Sequence, residues 1–359
     1  MNYSISLFKL VTLSASGMMS NSDQSSSPTY SQATPGGSRT SMPSNFQKII
    51  AIAMYTELVV DTDVPCPICD SEQQRRLLRH KKDQYIQKIA CDNIQFVLCD
   101  SCGFTFQNPQ PDNLSVNAFY DQGEFELETA GKYFRSSKLD AEKKTAWLRK
   151  HLNKNERGSV LEIGSSSGFF LCSLREEGWS VRGVEPSSPL SQYARENLGL
   201  DIQTGFFTET TFQNETFNLI IALHVLEHTT NPIEFLKAIH SKLSRDGILF
   251  IEVPNIFSMR ANRSIYDYFS SIHMMMFTPI TISNLLSKTG FQTIMQEVTD
   301  RGISVLAKPG AQKTFQKESV RKIKTALWKH QIRHLLYIFK KRLNQILKLI
   351  YSSIRAIPM

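Results

Sequence analysis

The central part of this 359-residue chain reads as an α/β fold, a mostly parallel sheet with helices on both faces. Three observations predict it. Ser159–Phe170 runs from a short apolar strand (Val160, Leu161, Ile163) through a turn of small residues, Gly164 to Gly168, into a helix. From there to Ala307, strand-length apolar runs alternate with helix-length segments, the order that builds a parallel sheet. Phe217-Asn-Leu-Ile-Ile-Ala-Leu is apolar at its centre, as a strand covered on both faces must be.

Each element has its own signal. From Ser136 to Leu152, the residues Leu139, Ala146, Leu148 and Leu152 recur at helical spacing and form a helix leading into the first strand. Val181-Arg-Gly-Val-Glu-Pro is a second strand ending in Glu185, Leu190–Asn197 a helix closed by Gly199, and Asp201–Thr204 a third strand. After the fourth strand, Phe217–Leu223, come a helix over Pro232–Leu243, a turn at Asp246-Gly247 and a fifth strand, Ile248–Val253. Ile280–Lys288 is a helix capped by Gly290, and Phe291–Val298 with Ile303–Ala307 makes a closing hairpin.

The apolar fraction, 41%, is that of a globular chain, and no apolar run approaches the roughly eighteen residues of a membrane span. The net charge of +8 is unevenly placed. Twelve Lys/Arg and one acid, Glu318, fall within Ala311–Met359, so that segment carries +11 and the remainder −3. Ser20–Ser44, rich in Ser, Thr, Pro, Gly and Asn, buries too little apolar surface to order itself, and residues 1–45 are read as a disordered leader. Within it, Met1–Met19 carries an apolar patch broken by Lys9, which leaves a weak signal peptide or a start near Met18 or Met19 as alternatives. Phe46–Val60 is read as a short helix.

Four of the six cysteines form two Cys-x-x-Cys pairs, Cys66/Cys69 and Cys99/Cys102. Each pair can wrap a turn whose backbone amides point at the thiolates, and two such knuckles supply the four soft ligands of a structural Zn2+. Coincidental or redox-active cysteines are the competing reading, and Cys91 is a possible substitute ligand, isolated from the pairs. Tyr85–Leu98 alternates enough to supply hairpin strands. A segment this small, residues 46–112, has little core of its own, so metal would provide much of its folding energy.

Open α/β sheets bind ligands beyond the carboxyl ends of their strands. At those ends lie Gly164–Gly168, Glu185, Gly205-Phe206-Phe207 and His224. Glu185 stands about twenty residues past the turn, where a carboxylate can accept from both ribose hydroxyls, and Phe206 and Phe207 can flank an adenine. This pattern alone fits NAD as well as other nucleosides.

Four segments carry a more specific likeness: Val160-Leu-Glu-Ile-Gly-Ser-Ser-Ser-Gly, Gly183-Val-Glu-Pro, Phe217-Asn-Leu-Ile-Ile-Ala-Leu-His-Val-Leu-Glu-His and Leu243-Ser-Arg-Asp-Gly-Ile-Leu-Phe-Ile-Glu-Val-Pro. Together they resemble the class I S-adenosylmethionine-dependent methyltransferases of the methyltransferase-23 type, whose sheet is Rossmann-like. The likeness covers Ala141–Lys308. With the knuckles and Gln107-Asn-Pro-Gln-Pro it extends back to Cys66, similar to zinc-ribbon methyltransferases of sugars, polysaccharides or small metabolites. It implies S-adenosyl-L-methionine and a structural Zn2+ as cofactors, a small-molecule or sugar-type acceptor methylated on a hydroxyl or carbon, and a cytoplasmic enzyme. It also implies that Glu162, Gly164, Ser166 and Gly168 form the methionine-side loop, that Glu185 holds the ribose, and that His224 lies near the methyl donor. The family has Gly where this chain has Ser166, a serine tolerated if its φ is negative. His228 and His273 are the candidate bases. Related quinone-type O-methyltransferases carry a Glu-x-x-Glu-His metal group at the position of His224–His228. Zinc-ribbon sugar C-methyltransferases carry an acid before the His that His273 resembles, where this chain has Ile272.

Residues 311–359 are read as a basic amphipathic helical tail, apolar at helical spacing over Ser319–Arg355. Such a helix lies on an anionic membrane surface, packs on a protein partner, or docks on its own domain. Nucleic acid is disfavoured, because stacking aromatics and a reader motif are missing. The alternative to an enzyme is a catalytically silent zinc-ribbon and nucleoside-binding module that works through this tail.

Overall fold

The structure, a computed structural model, describes residues 64–79, 95–111, 116, 130–152, 157–270, 272–299, 302–310 and 315–355. The expected leader, the helix over Phe46–Val60, Cys91 and the first part of Tyr85–Leu98 lie outside the described residues.

The knuckle region forms three short strands, β1 (Gln74–Arg79), β2 (Gln95–Cys99) and β3 (Thr105–Gln107), paired antiparallel in that order. The hairpin therefore differs from the expected one: β2 falls in the predicted stretch, but its partner β1 precedes it. Helix α1 (Ala130–His151) begins earlier than its apolar spacing suggested. Phe134 in that added turn stacks on Tyr193 at 4.4 Å and meets Phe169 edge-on at 5.7 Å, which gives it a packing role.

The sheet domain then follows as β4 (Ser159–Ile163), α2 (Phe169–Glu176), β5 (Ser180–Glu185), α3 (Ser188–Leu198), β6 (Ile202–Thr204), β7 (Phe217–Leu223), α4 (Pro232–Lys242) and β8 (Leu243–Val253). Next come the short α5 (Ile265–Tyr268), β9 (Met275–Met276), α6 (Pro279–Lys288), β10 (Phe291–Val298), β11 (Ile303–Pro309) and the long α7 (Val320–Arg355). Seven strands make one mixed sheet in the order β10-β11-β8-β7-β4-β5-β6. The five from β8 to β6 are parallel and the closing hairpin is antiparallel. Strand β8 starts five residues before the predicted Ile248. Phe217 pairs with Leu243 and Leu219 with Ile248, so Asp246-Gly247 is an irregularity inside the strand rather than a turn before it. A Cβ on Gly247 would lie 2.9 Å from the Phe217 carbonyl oxygen, so the chain can fold this tightly against β7 only without a side chain.

Strand order reverses at β4, whose neighbours are β5 and β7. That switch point opens a crevice at the carboxyl ends of the strands. The strands around it are apolar and buried, with Val160, Leu161, Leu219, Ile220, Ile221 and Ile251 at 2% exposure or less.

The segment between β8 and α6 joins the two sheets. Its strand β9 completes the knuckle sheet, in the order β1-β2-β3-β9, with Thr105 opposite Met276 and Phe106 opposite Met275. Phe96 and Leu98 of β2 share an apolar cluster with Ile256, Phe269 and Met276 of this segment and with Ile323 and Leu327 of α7. Phe104 is fully buried between Phe106, 5.6 Å away, and Phe277, 5.3 Å away. The C-terminal approach to α7 ties the same pieces together. Asn284 of α6 both donates to and accepts from the Gln316 backbone, and the Glu318 amide donates to the Cys102 carbonyl at 3.0 Å. Among the described residues, no helix is long and apolar enough to cross a membrane.

Because the knuckle sheet and the large sheet share these contacts, Phe104→Ala is expected to destabilise the protein by about 3–5 kcal/mol. Urea unfolding followed by both Trp fluorescence and far-UV circular dichroism should show one coincident transition, shifted to lower urea.

Candidate active site

The loop after β4 is built by three left-handed residues. Gly164, Ser166 and Gly168 have φ of 71°, 51° and 81°. A Cβ on Gly164 would sit 2.7 Å from Val225 Cγ2, and one on Gly168 would sit 2.4 Å from Leu200 Cδ1, so both glycines are required by conformation and by space. Ser166 departs from the expectation of a negative φ. Its left-handed backbone costs about 1–2 kcal/mol. That conformation aims the Ser166 N–H at Glu185 Oε2, 2.7 Å away, and a hydrogen bond to an ionised carboxylate returns about 1.5–3 kcal/mol.

Glu185, at the end of β5, is buried, and its other oxygen accepts from the Ser187 N–H at 2.9 Å. Burial pushes its carboxyl above the usual range, against the pull of these two amides. The Glu185 carbonyl accepts from the Gly205 N–H at 3.0 Å, which brings Phe206 and Phe207 next to the same strand end. Both rings are half-buried, and Phe207 meets Phe235 of α4 edge-on at 5.8 Å.

Buried carboxylates stand at four neighbouring strand ends: Glu162 on β4, Glu185 on β5, Glu227 just after β7 and Glu252 on β8. Burial pushes Glu162 up to about 8, Lys144 opposes the shift, and Glu185 adds to it. His224 lies between two of the four. Its Nδ1 is 3.2 Å from Glu227 Oε1 and its Nε2 is 2.9 Å from Glu252 Oε1. Although burial opposes its charge, these two acids hold His224 up to about 9, so it is an imidazolium at neutral pH. Glu252 is further engaged by Ser304 Oγ at 2.9 Å and Lys144 Nζ at 3.6 Å. Against the cost of burial, His224 and then Lys144 draw Glu252 down to about 2. His224 occupies a left-handed backbone position, φ 55°, with its amide bonded to the Glu252 carbonyl at 2.8 Å.

Beyond His224, residues 226–228 form a single 3-10 turn that buries Glu227 completely. His228 Nδ1–H donates to the Ile272 carbonyl at 2.8 Å, and His273 Nδ1–H donates to the Tyr268 carbonyl at 3.1 Å. A carbonyl can only accept, so each imidazole is the Nδ1–H tautomer when neutral and keeps Nε2 as its basic nitrogen. The rings meet edge-on at 4.8 Å. Burial holds His228 down to about 4, so it is neutral at pH 7. One ligand atom from each of Glu227, His228 and His273 lies within 4.8 Å of the others, a spacing at which the three can share a proton or a small cation.

The predicted residues thus converge on one crevice: the loop, Glu162, Glu185, Phe206, Phe207, His224, His228 and His273 all line its strand ends or the segment above them. Sequence reading missed Glu252 and Lys144. An acid inside the apolar run Ile248–Val253 was a usable signal for the first, whereas Lys144 is one lysine of a helix rich in them. A cavity of about 240 Å³ bounded by Arg157, Trp179, Asn218 and Asp246 lies at the opposite, amino-terminal ends of the strands.

The four knuckle sulfurs gather into a second cluster, their Sγ atoms all within 4.8 Å of one another. Cys66 and Cys102 Sγ are 3.5 Å apart, as are Cys69 and Cys99 Sγ. A tetrahedral Zn2+ with bonds of about 2.3 Å needs sulfurs about 3.8 Å apart, so the donor set fits. Each knuckle turns on a left-handed residue directly after its second cysteine, Asp70 (φ 57°) and Gly103 (φ 77°), and the Phe104 amide points at Cys102 Sγ from 3.4 Å.

The crevice also holds polar atoms that the protein leaves unsatisfied. Glu162 Oε2, Ser165 Oγ, Ser187 Oγ and Glu227 Oε2 are buried without a hydrogen-bond partner in the protein. Such atoms cost free energy unless a ligand satisfies them, and an acidic, hydrogen-bonding crevice suits a cationic nucleoside.

Comparison with known proteins agrees. Residues 132–296 match a family described as a methyltransferase domain, Methyltransf_23. An uncharacterized methyltransferase of Anoxybacillus flavithermus is 34% identical over 113 residues, 30% of this chain and 50% of that protein. The C-methyltransferase NovU of Streptomyces niveus is 26% identical over 159 residues, 42% of this chain and 38% of that protein. A ubiquinone biosynthesis O-methyltransferase of Actinobacillus pleuropneumoniae is 27% identical over 106 residues, 27% of this chain and 45% of that protein. The chain spans about half the length of the curated relatives it matches. Through residues 132–296 it carries a class I S-adenosylmethionine-dependent methyltransferase domain.

Proposed function

We propose that the protein transfers the methyl group of S-adenosylmethionine to a hydroxyl or carbon of a small molecule or sugar-type acceptor. The observation that carries this reading is the row of four buried carboxylates at neighbouring strand ends, with His228 and His273 gathered beside Glu227. When bound, the cofactor supplies an electrophilic methyl on a sulfonium. Glu185 would hold the ribose hydroxyls, with the Gly164–Gly168 loop and Glu162 around the methionine end and Phe206 and Phe207 toward the base. His224 and Lys144 offset Glu227 and Glu252, which leaves Glu185 and the ionised form of Glu162 to favour a cationic ligand. His273 is the better general base of the two candidates. Its Nε2 is oriented by the Tyr268 carbonyl, whereas His228 is held too weakly basic by burial and serves to position and polarise its neighbour. That C- and O-methyltransferases both occur among the relatives supports a small-molecule acceptor and leaves both atom types open.

We also propose that Cys66, Cys69, Cys99 and Cys102 bind a structural Zn2+ that folds the knuckle sheet. Purified protein should carry about one zinc per chain, consistent with a four-thiolate site. Cys99→Ser should lose most of it and melt at lower temperature. Equal zinc content in the two proteins would refute the assignment.

The reading predicts a specific pH dependence. Because Glu162 titrates at about 8 in the folded protein against an ordinary 4.5, the free protein keeps a proton there that the unfolded chain loses. Its stability contribution therefore falls as pH rises from about 4.5 to about 8. Affinity for a cationic ligand, which needs the anion, should rise over the upper part of that range. Calorimetric titration with S-adenosylmethionine should show proton release at pH 7 that is reduced in Glu162→Gln.

Binding and chemistry should separate in two variants. Glu185→Ala should weaken S-adenosylmethionine binding at least about tenfold, since charge-assisted hydrogen bonds are worth about 1.5–3 kcal/mol each. His273→Gln should leave that affinity nearly unchanged and lower kcat by about 10²–10⁴ on whichever acceptor a screen of sugars, phenols and lipids identifies. Wild-type protein that binds no S-adenosylmethionine at all would overturn the reading.

A further inference from the structure

Helix α7 spans 36 residues, about 54 Å, and presents two different faces. One face carries Ile323, Leu327 and His330, all buried, followed by the half-buried His334 and Ile338. The spacing of four, three, four and four keeps these residues on one side, which rests on the segment between β8 and α6. Tyr268 meets His330 edge-on at 5.8 Å, and His334 Nδ1–H donates to the Ala261 carbonyl at 2.8 Å. After Ile338 every residue to Leu349 is exposed, so there the helix has left the body.

The opposite face is the unexpected one. Trp328, Leu335, Leu336, Phe339, Leu343 and Leu347 fall within about 60° of a common line, on the side away from the docked residues. Leu335 and Leu336 are each 62% exposed and Phe339 is 68% exposed. Large apolar side chains are rarely left in such a continuous row on a helix that water alone surrounds. Ten of the 36 residues are Lys or Arg and none is Asp or Glu. Lys322, on the docked half, lies over the Phe257 ring at 4.6 Å. Lys329, Arg333 and Lys340 flank the apolar row, where long basic side chains can bury their stems and keep their charges at a polar boundary.

We propose that this face of α7 lies in the plane of an anionic lipid bilayer. The charge decides the occupant. A second copy of the helix would bring ten more cations and no acid to pair with them, whereas two helices that zip together need charges of both signs along their flanks. A nucleic acid would satisfy the cations and leave the aliphatic row in water. An anionic bilayer takes both halves, the row in the acyl boundary and the cations among the headgroups. The docked half keeps the helix on the protein while its outer face is in lipid.

The full chain tests this directly. Sedimentation with vesicles of phosphatidylcholine containing 30 mol% phosphatidylserine should show binding that falls steeply between 0.1 and 0.5 M salt, and pure phosphatidylcholine vesicles should bind at least about tenfold more weakly. Phe339→Asp should reduce binding to the anionic vesicles by about tenfold or more. Lys329→Glu with Lys340→Glu should do the same, while both variants keep the wild-type melting temperature and S-adenosylmethionine affinity. Equal binding to the two vesicle types would overturn the proposal. So would absent vesicle binding, whether accompanied by self-association that Phe339→Asp abolishes or by tight capture of an oligonucleotide.

Discussion

Four carboxylates are buried side by side at the carboxyl ends of β4, β5, β7 and β8, and the rest of the site is arranged around the cost of keeping them there. Water could solvate them, but the apolar strands on either side exclude it. Protein cations meet only part of the demand. His224 and Lys144 balance Glu252 and Glu227, while Glu162 keeps its proton well above the usual carboxylate range and Glu185 leans on two backbone amides. A crevice in this state attracts a positively charged ligand with hydroxyls and an ammonium to place. The strain in the loop follows from the same demand, since Ser166 adopts a left-handed backbone in order to reach Glu185.

The knuckle region takes part in this arrangement rather than standing beside it. Its sheet is completed by β9, and β9 directly follows His273 and Met274. The Met274 amide donates to the Glu227 carbonyl at 2.6 Å, and the Gln107 side chain donates to the His273 carbonyl at 3.0 Å. The position of His273 is therefore set from two sides, by the turn after β7 and by strand β3 of the knuckle sheet. If the four cysteines hold zinc as proposed, its loss would disturb the candidate base His273 through this connection.

Much of this was legible in the sequence because periodicity and spacing report local structure. The alternation from Val160 to Ala307 gave the sheet, and the paired cysteines gave the knuckles. The spacing from Gly164 to Glu185 brought two separate segments to one crevice. What stayed hidden depends on long-range placement. Nothing near Met275-Met276 says that two residues will pair with β3, some 170 positions earlier. Lys144 sits among other lysines of α1, and only the tertiary fold brings it to Glu252. The sign of φ at Ser166 could be stated only as a condition, because it goes with a hydrogen bond to a carboxylate nineteen residues away. The irregular start of β8 escaped for a similar reason, since a Gly after an Asp reads as a turn until β7 is seen beside it.

Both candidate bases are oriented by main-chain carbonyls, those of Ile272 and Tyr268, rather than by side chains. A carbonyl survives every substitution at its own position. Replacing Tyr268 or Ile272 therefore leaves that carbonyl in place, whereas Ile256, Phe269 and Met276 of the same segment stay fixed by the apolar cluster they share with β2 and α7. Such a division would let the tautomer and aim of the two imidazoles be inherited intact while the side chains at 268 and 272 vary beside them.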